Sequence, residues 1–132
     1  MNEVVNYLRT CGTFFLATSE EEKPHVRPFG AVCEFEGKLY FVTNNKKKVY
    51  QQLKENPSVE LCGMSKGTWI RVSGEVKEDD RREARLAMMN ENRQALSRMY
   101  TVDDHLMTVF YFVQGEATLY SFTEERKKIQ LD

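Results

Sequence analysis

The chain has 132 residues, 41% hydrophobic and 30% charged, a balance that supports one globular domain over residues 1–132 with its own core. Nineteen Lys and Arg against twenty Asp and Glu leave a net charge of −1, which excludes the strong basic excess of a general nucleic-acid binder. Apolar runs such as Phe14-Phe15-Leu16-Ala17 are far too short for a membrane span. The opening MNEVVNYLRT carries an acid at Glu3 and no apolar signal core, so a cytoplasmic protein is expected.

In chain order, Val4, Val5, Leu8 and Cys11 have helical spacing and stop at Gly12. Thr13–Thr18 is strand-like and is followed by a charged turn over Ser19–Pro24. His25–Phe35 reads as a strand, and Glu36-Gly37 as a turn into a further strand over Leu39–Thr43. From Lys46 to Glu55 the period becomes helical, and Asn56-Pro57 ends it. Val59–Met64 and Thr68–Val76 form a second hairpin, in which Ile70, Val72 and Val76 face one way and Trp69, Arg71, Ser73 and Glu75 the other. Asp79-Asp80 is expected to cap a long helix with an apolar stripe of Ala84, Met88, Ala95 and Met99. Thr108–Phe122 reads as paired or bent strands around Gln114-Gly115. About six short antiparallel strands with close-spaced turns favour closure, because a barrel removes exposed edges. The predicted fold is a mainly β domain, a small β-barrel with packed helices.

Three segments could carry chemistry. Thr43-Asn44-Asn45-Lys46-Lys47-Lys48 places lysines where a strand hands over to a helix. Cations there oppose the helix macrodipole, by about 0.3–1 kcal/mol each when exposed. They fit either a solvated surface or an anion held by free N–H groups, the Thr43 hydroxyl and ammonium groups together. Arg27-Pro28-Phe29-Gly30 offers a guanidinium for phosphate and an aromatic with bare backbone for a planar ring, or else a surface ion pair beside a core Phe. Trp69 and Arg71 share the outward face of their strand and read as an interface or ligand wall, or as a Trp covered by a helix. Cys11, Cys33 and Cys62 are widely spaced with no Cys-x-x-Cys, and the two histidines, His25 and His105, are far apart, so neither a metal site nor a disulfide is expected.

Taken together and in order, these segments resemble the pyridoxamine 5′-phosphate oxidase-like superfamily of FMN-binding split barrels. The resemblance covers nearly the whole chain, through TFFLAT, the Arg27 strand, Leu39–Asn44, the basic helix start, Leu53-x-x-Asn56-Pro57-x-Val59 and Val72-Ser73-Gly74-Glu75. It implies an antiparallel split β-barrel and a homodimer with flavins between the chains. By this resemblance Arg27, Thr43, Asn44, Lys47 and Lys48 hold the phosphate and ribityl chain of FMN. The backbone of Pro28, Phe29 and Gly30 lies along the isoalloxazine, and Trp69 and Arg71 reach in from the partner. The family's usual Ser-Arg-Lys stands here as Lys46-Lys47-Lys48, and the oxidase's C-terminal Trp and Arg region has no counterpart after Phe122. Oxidation of pyridoxamine phosphate is therefore not carried over. The chain is more similar to small members named general stress or nitroimidazole-resistance proteins, although Tyr40–Thr43 lacks the histidine that some of the latter carry. What this implies is an oxidoreductase reducing a small organic substrate from a nicotinamide donor, with no assigned catalytic side chain. The alternatives are a deazaflavin enzyme or a non-catalytic flavin- or haem-binding module.

Overall fold

The computed structural model describes residues 2–131. Helix α1 (Asn2–Cys11) leads into a hairpin of β1 (Phe14–Glu20) and β2 (Lys23–Phe29). Then come β3 (Val32–Phe35), β4 (Lys38–Asn44), α2 (Lys48–Glu55), β5 (Ser58–Ser65) and β6 (Thr68–Asp79). The chain continues through α3 (Arg82–Glu91), α4 (Arg93–Leu96), β7 (Met107–Ser121) and β8 (Lys127–Leu131). All pairings are antiparallel, in the order β2-β1-β5-β6-β7-β4-β3, with β8 added to β7. The first half of β7 pairs with β4 and the second with β8, while β6 runs along both halves. No helix of the described residues is long and apolar enough to cross a membrane.

Strand β4 shows why part of this order was readable. Leu39 and Phe41 point into a core shared with Phe14, Leu16, Leu61, Ile70, Phe110 and Phe112, which α1 and α2 cover with Val4, Leu8, Val49 and Leu53. Tyr40 and Val42 point the other way, into a second cluster with Val109 and the α3 residues Ala84, Met88 and Met89. A strand buried on both faces reads as an unbroken apolar run.

Several expectations are revised. The sheet has eight strands rather than about six. The segment His25–Phe35 is two strands, separated at Gly30-Ala31. Thr108–Ser121 belongs to one long strand with a bulge: Gln114 pairs with Glu75 and Phe112 with Val76, leaving Val113 unopposed. Beside the bulge, Gly74 and Gly115 cross so closely that a Cβ on Gly74 would lie 2.2 Å from the Gln114 carbonyl oxygen. Strand β8 forms from a charged tail that carries little strand signal.

The long helix is also broken in two. Asp79 does not cap it; Asp79 ends β6, and the N-cap position belongs to Arg81 without a side-chain bond. The Asp79 carboxylate instead accepts from the Tyr40 hydroxyl at 2.6 Å and from Arg81, which also reaches Glu36. The hydrogen bonds from Arg81 hold Asp79 down at about 2. The break falls at Asn92, whose side-chain amide donates to the Val32 carbonyl at 3.0 Å and to the Met88 carbonyl at 3.1 Å. An Asn that bonds the backbone in this way competes with helix continuation. The chain therefore turns, and α4 lies in a new direction.

Candidate functional site

That turn creates a cleft of about 210 Å³. One wall is Pro28, Phe29, Gly30 and Ala31, where the chain passes from β2 to β3; the other is Ala95, Leu96, Met99 and Tyr100, from α4 and its exit. Val42, Thr43 and Lys47 line it from the end of β4 and the loop after it. The Phe29 ring packs on Phe41 with centroids 5.6 Å apart, edge to face, so it anchors the wall to the core. Gly30 has no positive φ, and a Cβ there would meet nothing nearer than the Gly12 carbonyl oxygen at 3.8 Å. The fold itself does not demand glycine at this point, where bare backbone faces the cleft.

Thr43 is buried, while Lys47 is exposed. Lys47 is also the N-cap position of α2, which has no side-chain cap and no acid in its first turn. The first N–H groups of the helix and the lysine charges thus accumulate positive potential with no carboxylate placed to offset it.

Arg27 and Lys48 do not line the cleft. The Arg27 guanidinium donates to Thr18 Oγ1 at 2.7 Å, to Gln52 Oε1 at 2.6 Å and to the Leu16 carbonyl oxygen at 3.3 Å. All three acceptors are neutral, and burial pulls this guanidinium below its ordinary value. Gln52 stands four residues after Lys48, on the same helix face. Asn44 holds the loop: its Oδ1 accepts from the Lys46 N–H at 2.9 Å and its Nδ2 donates to the Tyr100 hydroxyl at 3.1 Å.

Trp69 and Arg71 also lie away from the cleft, on the outer face of β6. Trp69 stacks on Tyr120 at 5.2 Å and contacts Phe122 at 5.0 Å. Arg71 pairs with Glu60 at 2.9 Å. The structure thus brings together Pro28, Phe29, Gly30, Thr43 and Lys47, and adds Ala95, Leu96, Met99 and Tyr100. Sequence reasoning placed Ala95 and Met99 in a helical core stripe and left Tyr100 unremarked. The available signal was Asn90 and Asn92, a pair of poor helix formers inside the run.

The cleft contains no His, Cys, Asp or Glu among its lining residues. The three cysteines are free thiols, and burial pushes Cys33 up to about 12.

A family model for pyridoxamine 5′-phosphate oxidase matches residues 1–105. The chain belongs to the pyridoxamine 5′-phosphate oxidase family. Within that family's reach, a NimC/NimA family protein from Clostridium acetobutylicum is 48% identical, with a TM-score of 0.95 over 99% of this chain and 92% of that one. A pyridoxamine 5′-phosphate oxidase-related, FMN-binding protein from Nostoc punctiforme is 16% identical, with a TM-score of 0.64 over 98% of this chain and 92% of the other. A haem-binding protein from Mycobacterium smegmatis is 14% identical, with a TM-score of 0.71 over 93% of this chain and 56% of that chain. The last two show the shared split-barrel fold. No curated protein matches the chain.

Proposed function

We propose that the cleft between the β2–β3 crossing and α4 binds FMN, and that the protein is an oxidoreductase reducing a small organic substrate from a nicotinamide donor. The observation that carries this reading is the cleft's polarity. Apolar Pro28, Phe29, Ala31, Leu96 and Met99 line the slot, and at its end formed by the close of β4 and the loop after it Thr43 and Lys47 add a hydroxyl-bearing and an ammonium-bearing side chain, beside an uncapped helix start. A planar ring suits the slot and a phosphate suits its end. The FMN-binding relative from Nostoc punctiforme has the same fold.

The residues present fit such a ligand. Lys47 neutralises the phosphate from the cleft wall, with Lys48 on the first turn of α2 and Arg27 of β2, whose present acceptors are all neutral, as further cations outside the lining. The Thr43 hydroxyl adds a donor at the phosphate end, and Asn44 holds the loop there through Lys46 and Tyr100. Bare backbone at Gly30 allows close approach of a ring, and Leu96 and Met99 exclude water from its other side. Bound flavin supplies hydride transfer, so the protein's part is orientation and electrostatics. The absence of a carboxylate or histidine from the lining suits that division of labour.

A haem-binding reading has less support. Haem iron takes an axial His, Cys, Met or Tyr, and the cleft offers only Met99 and Tyr100, with His25 and His105 outside its walls.

The proposed assembly is a homodimer. The cleft is smaller than the roughly 300 Å³ at which small-molecule pockets begin, so a second copy is needed to enclose a flavin. The outer face of the sheet carries exposed Phe15, Val26, Met64 and Phe122 around Trp69 and Arg71. Register makes this patch continuous, since Met64 pairs with Trp69, Trp69 with Tyr120, and Phe15 with Cys62. Sedimentation and the visible spectrum of the purified protein test both parts. A dimer that takes up FMN and shows flavin absorption is expected; a monomer, or a Soret band without flavin uptake, contradicts the reading.

A further inference from the structure

Tyr100 is buried and lines the cleft together with Thr43 and Lys47, and its hydroxyl meets Asn44, the residue after Thr43. Its hydroxyl takes part in one hydrogen bond among the described residues, with Asn44 Nδ2 at 3.1 Å. The direction of that bond is fixed from behind. The Lys46 backbone N–H can only donate, so the atom it meets at 2.9 Å is the Asn44 carbonyl oxygen. The other end of the amide is then NH₂, which donates to the Tyr100 oxygen. A phenol that accepts in its one protein bond retains its own proton for a further partner.

We infer that Tyr100 is a ligand-binding residue whose hydroxyl donates to a phosphate oxygen of the bound nucleotide, with Asn44 as the positioning residue that turns the phenol into a donor. This rests on the reading of the cleft as a flavin site and adds to it a contact from the α4 side. Three donors of different kinds, the Thr43 hydroxyl, the Lys47 ammonium and the Tyr100 phenol, then serve one anion. The apolar residues Leu96 and Met99, on the same wall, serve the ring.

The test is Tyr100→Phe, which keeps the ring and its packing and removes the hydroxyl, both the proposed donor and the acceptor of the Asn44 amide. FMN and riboflavin are titrated against wild type and variant by flavin fluorescence, alongside thermal unfolding of both ligand-free proteins. The expected result is a loss of FMN affinity of about tenfold or more, typical of one hydrogen bond to a charged oxygen. Riboflavin affinity should stay within about twofold, and the melting temperature should be little changed. Equal FMN affinity in wild type and variant overturns the inference and leaves the flavin site standing. So does an equal loss for both ligands, which would place the contact off the phosphate. If wild type binds neither ligand, the flavin reading fails and the inference fails with it.

Discussion

Arg27 and Gln52 meet at 2.6 Å, the guanidinium of β2 donating to a side-chain carbonyl on the second turn of α2. The same oxygen accepts from the Thr18 hydroxyl at 2.6 Å. One buried amide thus joins the helix to two strands and fixes where α2 begins relative to the cleft. Removing it takes one of three acceptors from the Arg27 guanidinium and the acceptor of the buried Thr18 hydroxyl. Gln52→Leu is expected to lower the unfolding free energy by about 2–3 kcal/mol, the cost of leaving buried polar groups unpaired. In Arg27→Leu/Gln52→Leu the loss should be smaller than the sum of the single losses, since the bond they share is lost only once. Urea unfolding of the four proteins measures the coupling; strict additivity would contradict it.

Gly30 and Gly74 separate ligand space from structural space. At Gly74 a Cβ would sit 2.2 Å from the Gln114 carbonyl oxygen and 2.8 Å from the Gly115 Cα, both backbone atoms that cannot swing aside. Gly74→Ala is expected to cost about 3 kcal/mol or more, in the upper range for overpacking. Gly30→Ala meets only ordinary contact at 3.8 Å. It should leave stability unchanged or raise it by about 0.5 kcal/mol through the unfolded chain, while FMN binding weakens because the added methyl projects where bare backbone lay. Thermal unfolding and FMN titration of both variants check this pair.

Asp79 gives the fold an acid limit. Hydrogen bonds from Arg81 first, and then from Tyr40, depress its carboxyl to about 2 against burial, which acts the other way. A carboxyl held low in the folded state contributes stability that is complete above the unfolded value of about 3.9. That contribution is lost as pH falls towards 2. The amount is about 2.5 kcal/mol, at about 1.4 kcal/mol for each tenfold change in the acid constant. Asp79→Asn should therefore be less stable than wild type at pH 6, and the gap should narrow between pH 4 and 2. Urea midpoints across that range measure it; a gap independent of pH would contradict the assignment.

Much of the fold was legible because its local signals agree. Gly12 follows α1 with φ +74°, Gly37 turns β3 into β4 with φ +76°, and Asn56-Pro57 closes α2. Strand β6 alternates as read, with Ile70, Val72 and Val76 buried and Arg71, Ser73 and Glu75 not. What was not legible depends on distant partners. The break at Asn92 is made by the carbonyl of Val32, sixty positions away, and no window around residue 92 contains it. The pairing of β8 depends on the edge that β7 leaves open after β4 ends. The same gap hid half of the site. The β2–β3 wall and the lysine loop carry recognisable residue types, whereas Ala95, Leu96, Met99 and Tyr100 become a wall only after the helix breaks. Arg27 shows the converse, a residue type recognisable as suiting phosphate that stands outside the lining, bonded to Thr18 and Gln52.

The measurement that bears most directly on the phosphate end of the cleft is the affinity of Lys47→Ala/Lys48→Ala for FMN and for riboflavin. Charge-assisted contacts contribute about 1.5–3 kcal/mol each, so FMN should bind about a hundredfold more weakly or worse, while riboflavin, which has no phosphate, should change little. Folding should hold or improve slightly, since two cations leave the start of a helix. FMN affinity equal to that of wild type would contradict the account and return the lysines to a solvated helix face.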